Sequence, residues 1–275
     1  MLKFLSLLLS FITSTFSLFN IVDLPQDENF DTDKEIVVTT EPLDIKESHI
    51  EDLTPKEVVL SAPKATVPTT GNWWSYPNDI KESTRSGNDL LVLVNKEYRL
   101  PSTYAPGDLS IVGENVIRRG SNYYLRSIVL NDLKNLVDTA RDQGIDLSIV
   151  SAYRSYSTQL STYNYWVKYN GGCIDCADRI SARAGHSQHQ LGTTLDFSSS
   201  EIGDGLGGQF SNTKAANWLK NNAYKYGFVI GYPQGYESTT GYSYESWHYR
   251  YIGKSNALEQ HSSGMILEMY LRSKN

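Results

Sequence analysis

Apolar residues in this chain recur with periods that change along its length, and each change marks an element. Val129, Leu133, Leu136, Val137 and Ala140 fall at helical intervals and Gly144 follows as a stop, so this stretch predicts an amphipathic helix packed on a core. Residues 146–152 then alternate and are rich in β-branched types, which predicts a strand that "YRSYSTQ" leaves. A second helix is predicted over about residues 155–169, ending at Gly171 and Gly172, and a third over 213–226, with Trp218, Leu219 and Ala223 inward and Gly227 as its stop. "TTLDF" and "FVIGYP" read as strands, residues 246–253 as an aromatic strand, and residues 256–272 as one closing helix. Residues 90–110 read as a short apolar strand followed by a loop punctuated by proline. Together these elements predict an α+β domain with a small, mainly antiparallel sheet flanked by helices.

The N-terminal quarter reads differently. "MLKFLSLLLSFITSTFSLFNIV", residues 1–22, has one lysine and then an apolar run, the pattern of a secretory signal peptide or an N-terminal membrane anchor. It contains no cysteine, which rules out a lipoprotein anchor. Residues 23–70 carry twelve Asp or Glu against four Lys, a balance of −8, and few large apolar groups. Such a segment buries too little to offset its ordering entropy, so it reads as a disordered acidic tether, either a spacer from a membrane or a plain solvated linker. Dense aromatics begin at "GNWWSYP", which sets the folded unit at residues 71–275; Trp73 and Trp74 are read as packing its leading edge in preference to gripping sugar rings. A formal net charge of −6 argues against a nucleic-acid partner. Export implies a secreted or membrane-anchored protein, and a monomer is the default.

The chemistry concentrates in "GHSQHQLGTTLDF". A catalytic zinc needs three protein ligands and one open position. His189 and Asp196 supply two if the chain turns between them, and Gly192 offers the turn. Of the other histidines, His49 lies in the tether, His261 in the closing helix among surface-like residues, and His186 competes with His189 for one position. His248 is the third choice, because Glu245 precedes it by three residues and a carboxylate beside activated water is what general-base catalysis requires. In a regular strand those two side chains would face opposite ways, so an irregularity is expected at Ser246.

"SAYRSYSTQ", "GHSQHQLGTTLDF" and "YESWHYRYIG", in that order, resemble the motifs of the VanY-type zinc D-alanyl-D-alanine carboxypeptidases. The pattern S-x-H-x(6)-D is met by Ser187, His189 and Asp196, and E-x-W-H by Glu245, Trp247 and His248. The resemblance runs from about Leu90 to Gly253. It implies one zinc ion held by His189, Asp196 and His248, with Glu245 taking the proton of water and handing it to the leaving amine. It implies that Arg154 meets the oxyanion or the terminal carboxylate, with Gln159, Ser187 and Trp247 on the substrate side. A guanidinium fork suits a carboxylate. The implied substrate is a peptidoglycan stem peptide losing its C-terminal D-alanine, through either a D-Ala-D-Ala or an L,D bond.

Three positions depart from the family pattern: Ala152, where Gly is common; Thr194, where Ala is more frequent; and Ser246, where Pro often stands. None removes a ligand or the base. Cys173 and Cys176 form C-x-x-C with no second pair, so a local disulfide pinning a loop near the site is expected, not a redox or zinc motif. Most of the nineteen tyrosines are read as packing residues with a wet hydroxyl. Two alternatives stand beside the carboxypeptidase: an L-alanyl-D-glutamate endopeptidase, and a wall-binding module without chemistry.

Overall fold

The computed structural model describes residues 72–275, so the signal or anchor expected at residues 1–22 and the acidic linker at 23–70 lie outside the described residues. Two minimal pairings come first: β1 (Lys81–Glu82) with β2 (Tyr98–Arg99) in parallel, and β3 (Leu109–Ile111) with β4 (Tyr124–Arg126) antiparallel. Helix α1 (Ser127–Asp142) follows, its apolar stripe buried as the periodicity predicts, and Gly144 beyond it takes φ +72°. Then come β5 (Ser148–Ser151), α2 (Tyr156–Tyr169), capped by Ser155 accepting from the Thr158 N–H, and the short α3 (Ile174–Asp178). A 3-10 turn, Gln188–Leu191, leads into β6 (Thr194–Ser198). The rest is α4 (Lys214–Asn222), β7 (Phe228–Ile230), α5 (Glu237–Thr240), β8 (His248–Tyr251), α6 (Lys254–Ser263) and α7 (Leu267–Lys274).

The main sheet has the order β5-β6-β8-β7 with every pair antiparallel, which makes the domain α+β. Its two-residue alternation sorts the side chains. Leu195 and Phe197 of β6 and Tyr249 and Tyr251 of β8 join Val129, Leu133 and Leu136 of α1 in one buried cluster. Each of the aliphatic and phenylalanine side chains contributes about 1.5–3 kcal/mol on burial. Asp196 and His248 therefore face the opposite side, and register places them directly across from one another.

Two expectations are corrected. Residues 90–94 form no strand, although Val92, Leu93 and Val94 are buried. The Asp89 carboxylate accepts from the Leu91 N–H at 2.9 Å and the Asp89 carbonyl from the Val92 N–H at 3.1 Å, which winds the chain into a turn. Arg250 Nη2 donates to the Leu90 and Val92 carbonyls at 3.0 and 2.7 Å, and the Ser83 hydroxyl donates to that of Leu93 at 2.7 Å. Side chains thus satisfy the groups that a neighbouring strand would have paired. The single closing helix is also two, because Gly264 takes φ +68° and Ile266 is extended, which ends α6 and starts α7 at a new angle.

Candidate metal centre

Asp196 projects from the middle of β6, His248 from the first position of β8, and His189 from the 3-10 turn that Gly192 closes with φ +66°. A Cβ at Gly192 would stand 3.0 Å from side-chain atoms of Arg126 and Leu109, so both space and backbone favour glycine. His189 Nε2 lies 3.3 Å from Asp196 Oδ2, and His248 Nδ1 lies 3.1 Å from Asp196 Oδ1. One ligand atom from each residue falls within 4.8 Å of the others, all three residues are buried, and this is the metal-ligating cluster among the described residues.

The outer faces of both rings are held. His189 Nδ1 faces the Ala152 carbonyl at 2.7 Å, so it carries the proton and the Nε2 lone pair points inward. His248 presents the other nitrogen: Nε2 lies 3.2 Å from Gln188 Oε1, and Nδ1 points inward. With both rings neutral and their protons on the outward nitrogens, two imidazole lone pairs and a carboxylate converge as the donor set of a zinc ion with a position left open.

Glu245 stands just before β8 in a turn through Ser246 and Trp247, the irregularity its spacing from His248 requires. Its Oε2 is 3.5 Å from His248 Nδ1. Burial pushes the Glu245 carboxyl well above the usual carboxylate range, Asp196 adds to this, and Arg154 offsets it only in part. Burial also pushes Asp196 up, but His189 and then His248 outweigh it and hold that carboxyl well below its ordinary value. For His248, burial lowers the proton affinity against the opposing pull of Asp196.

Arg154 follows β5, with Nη1 donating to Gln159 Oε1 at 2.7 Å and Nη2 to the Ser151 hydroxyl at 3.0 Å. Gln159 Nε2 in turn donates to the Ala182 carbonyl at 2.6 Å, so both ends of that amide are engaged in orienting the arginine. Ser187 accepts from the His189 N–H at 3.3 Å and caps the 3-10 turn. Trp247 is half-buried against the main core, and its carbonyl accepts from Phe197 N–H at 3.0 Å. His186 stands apart, buried, with Nδ1 2.7 Å from the Asn95 carbonyl and its ring edge-on to Tyr76. Burial pushes it down to about 4 despite that carbonyl. His261 stacks on Tyr224 with centroids 3.6 Å apart, also away from the cluster.

Sequence reasoning missed three contributors. Gln188 sits between two of the assigned residues, and its only signal was that neighbourhood. Tyr232 stacks on the His248 ring at 4.6 Å from a loop with no motif of its own. Ser151 holds Arg154 from the end of β5. The Cys173–Cys176 disulfide is present, and it spans the first turn of α3. Trp73 and Trp74 pack edge-on to one another, with the Arg179 guanidinium 4.4 Å from the Trp74 ring centroid.

A His-Asp-His donor set beside a carboxylate and an oriented arginine defines a metallopeptidase-type site. The sequence profile of the VanY family, D-alanyl-D-alanine carboxypeptidase, matches residues 122–254. The putative carboxypeptidase YodJ of Bacillus subtilis (strain 168) is 38% identical over 202 residues, covering 71% of this chain and 73% of that protein. The LdcB LD-carboxypeptidase structure is 34% identical with a TM-score of 0.63, covering 72% of this chain and 97% of its own. A mutant of the vancomycin-resistance D,D-pentapeptidase VanY, solved in complex with Zn(II), is 27% identical with a TM-score of 0.56, covering 68% of this chain and 99% of its own. The chain belongs to the VanY-type carboxypeptidase family of zinc metallopeptidases.

Proposed function

We propose that this protein removes the C-terminal D-alanine from peptidoglycan stem peptides, with His189, Asp196 and His248 as zinc ligands, Glu245 as general base and Arg154 as anchor for the terminal carboxylate. What supports the reading is the cross-strand pairing of Asp196 with His248, with Glu245 Oε2 3.5 Å from His248 Nδ1 and Arg154 near enough to Asp196 and Glu245 to feel both charges. A zinc ion bound there supplies a Lewis acid that promotes ionisation of water and polarises the scissile carbonyl. Glu245 takes the proton from the attacking water and delivers it to the leaving amine. A bound zinc ion would oppose the upward push of burial on Glu245, which is what leaves the carboxylate free to take that proton.

Arg154, fixed by Gln159 and Ser151, meets the carboxylate next to the scissile bond that the last residue of a chain carries, which makes the activity exopeptidic. The Ser187 hydroxyl keeps its proton to donate to the same carboxylate, and Trp247 borders the substrate. The greater identity to LdcB than to the D,D-pentapeptidase favours the L,D bond of a tetrapeptide. The substrate sets the place of action outside the cytoplasm, with residues 1–22 as signal or anchor, 23–70 as linker and 71–275 as catalytic unit. Among the described residues no helix is long and apolar enough to cross a membrane.

Mass spectrometry of stem peptides incubated with the purified protein tests this. Wild type is expected to remove one alanine mass from the tetrapeptide, and Glu245→Ala none. Loss from the pentapeptide alone would name the D-Ala-D-Ala bond instead. Cleavage between L-alanine and D-glutamate would support the endopeptidase, and no cleavage by zinc-loaded protein would leave a wall-binding module.

A further inference from the structure

We infer that Gln188 is a positioning residue that selects the tautomer of His248, holding the proton on Nε2 so that Nδ1, the nitrogen the packing already turns inward, keeps its lone pair for a metal; this rests on the ligand assignment above. The two histidines of the site present opposite nitrogens inward. For His189 the outer nitrogen is held by a backbone carbonyl, Ala152, that no substitution removes. For His248 the corresponding acceptor is a side chain, Gln188 Oε1, 3.2 Å from Nε2.

The surroundings of the ring fix its placement and leave only the proton to be decided. Tyr232 stacks on one face with planes 27° apart. At the edge, a Cβ built on Gly231 would lie 2.6 Å from His248 Cδ2, 3.1 Å from Nε2 and 3.3 Å from Gln188 Oε1, so the bare backbone of Gly231 closes against both side chains at once. The ring cannot swing to exchange its nitrogens. Nδ1 faces two carboxylates, Asp196 at 3.1 Å and Glu245 at 3.5 Å, and in a metal-free protein those acceptors draw the imidazole proton to Nδ1. An amide oxygen on the far side opposes that pull by offering Nε2–H a partner in a site where an unpaired donor is costly.

The residue type matters as well as the contact. Gln188 is buried, 3% exposed, and adds no charge to a pocket that already holds Asp196 and Glu245. A carboxylate in its place would accept the same hydrogen bond and make the imidazole more basic. An apolar side chain of similar volume would fill the space and accept nothing. The 3-10 turn therefore serves both ligands, His189 directly and His248 through its neighbour in sequence.

The test compares wild type, Gln188→Glu and Gln188→Leu, with His189→Ala as reference for a lost ligand. Zinc affinity is measured by competition with a chelating dye, and the His248 proton by ¹H–¹⁵N NMR of the zinc-loaded protein. Wild type is expected to carry the His248 proton on Nε2. Gln188→Leu should weaken zinc binding ~10- to 100-fold, while Gln188→Glu stays within about threefold of wild type. A purely space-filling role gives the reverse order, because leucine matches the volume and stays neutral. Should the leucine variant fail to fold, Gln188→Asn, which is polar but one methylene short of the ring, is expected to show the same loss. A wild type that binds zinc while the leucine or asparagine variant matches it, or one with the proton on Nδ1, overturns the inference alone. A wild type that takes up no zinc, or a His189→Ala protein that binds it as tightly, overturns the ligand assignment and this inference with it.

Discussion

Arg154 has charged neighbours on one side and hydrogen-bond acceptors on the other. Burial lowers its proton affinity and Asp196 and Glu245 oppose that, while Gln159 Oε1 and the Ser151 hydroxyl fix the fork. If it receives the terminal carboxylate, Arg154→Ala costs about 3 kcal/mol of transition-state binding, on the order of a hundredfold in kcat/KM, and leaves zinc content unchanged. On a C-terminally amidated peptide the same substitution should cost little, since the charge it recognises is gone. An equal loss on both substrates would rule out the carboxylate contact and leave the arginine to the oxyanion or to support of the fold. Residues of this kind were legible in the sequence because their chemistry is carried by type and spacing: His189, Asp196, Glu245 and His248 lie in short motifs. Gln188 and Tyr232 were not, since what makes them matter is contact with His248 across 60 and 16 positions of chain.

At the scale of elements, α1 and the sheet strands were legible because each buries one face against the same core, so period and burial coincide. Residues 90–94 look like a strand for the same reason and are none, because Arg250, far along the chain, takes their carbonyls. The element whose role was least visible is α3. Its disulfide, Cys173–Cys176, ties the first turn, and its last residue, Asp178, pairs with Arg183 at 2.6 Å and accepts from the Tyr163 hydroxyl at 2.7 Å. Arg183 adjoins Ala182, whose carbonyl orients Gln159 and so Arg154. Replacing both cysteines with serine should therefore loosen the arginine side of the site and spare the metal side. Amide hydrogen exchange over residues 173–185 is expected to rise and KM to increase, with zinc stoichiometry unchanged. Loss of the metal in that double variant would show that α3 supports the ligands as well.

Across the whole molecule, acid stability should depend on one surface node that joins three segments far apart in sequence. Arg118 donates to Asp146 through Nε and Nη2, each at 2.6 Å, and to Asp204 through Nη1 at 2.9 Å and Nη2; the Ser148 hydroxyl also donates to Asp204, at 2.7 Å. The node pins the segment between β3 and β4 to the start of β5 and to the turn after β6. The Arg118 hydrogen bond, against the cost of burial, holds the Asp146 carboxyl at about 2, and the same guanidinium lowers Asp204. Both carboxyls thus have lower proton affinity folded than unfolded. The unfolded chain binds more protons between about pH 4 and 2, so stability is full above that window and falls as pH drops through it. Asp204 keeps only 11% of its side chain exposed, whereas Asp146 keeps 37% and is more strongly screened, so Asp204 is the better insulated of the two links. Denaturant melts of wild type and Arg118→Met from pH 5 to 2.5 should show a steeper loss in wild type and a flatter profile in the variant, which starts lower. Parallel profiles would place the acid sensitivity elsewhere, with the buried Asp196 as the next carboxylate to test.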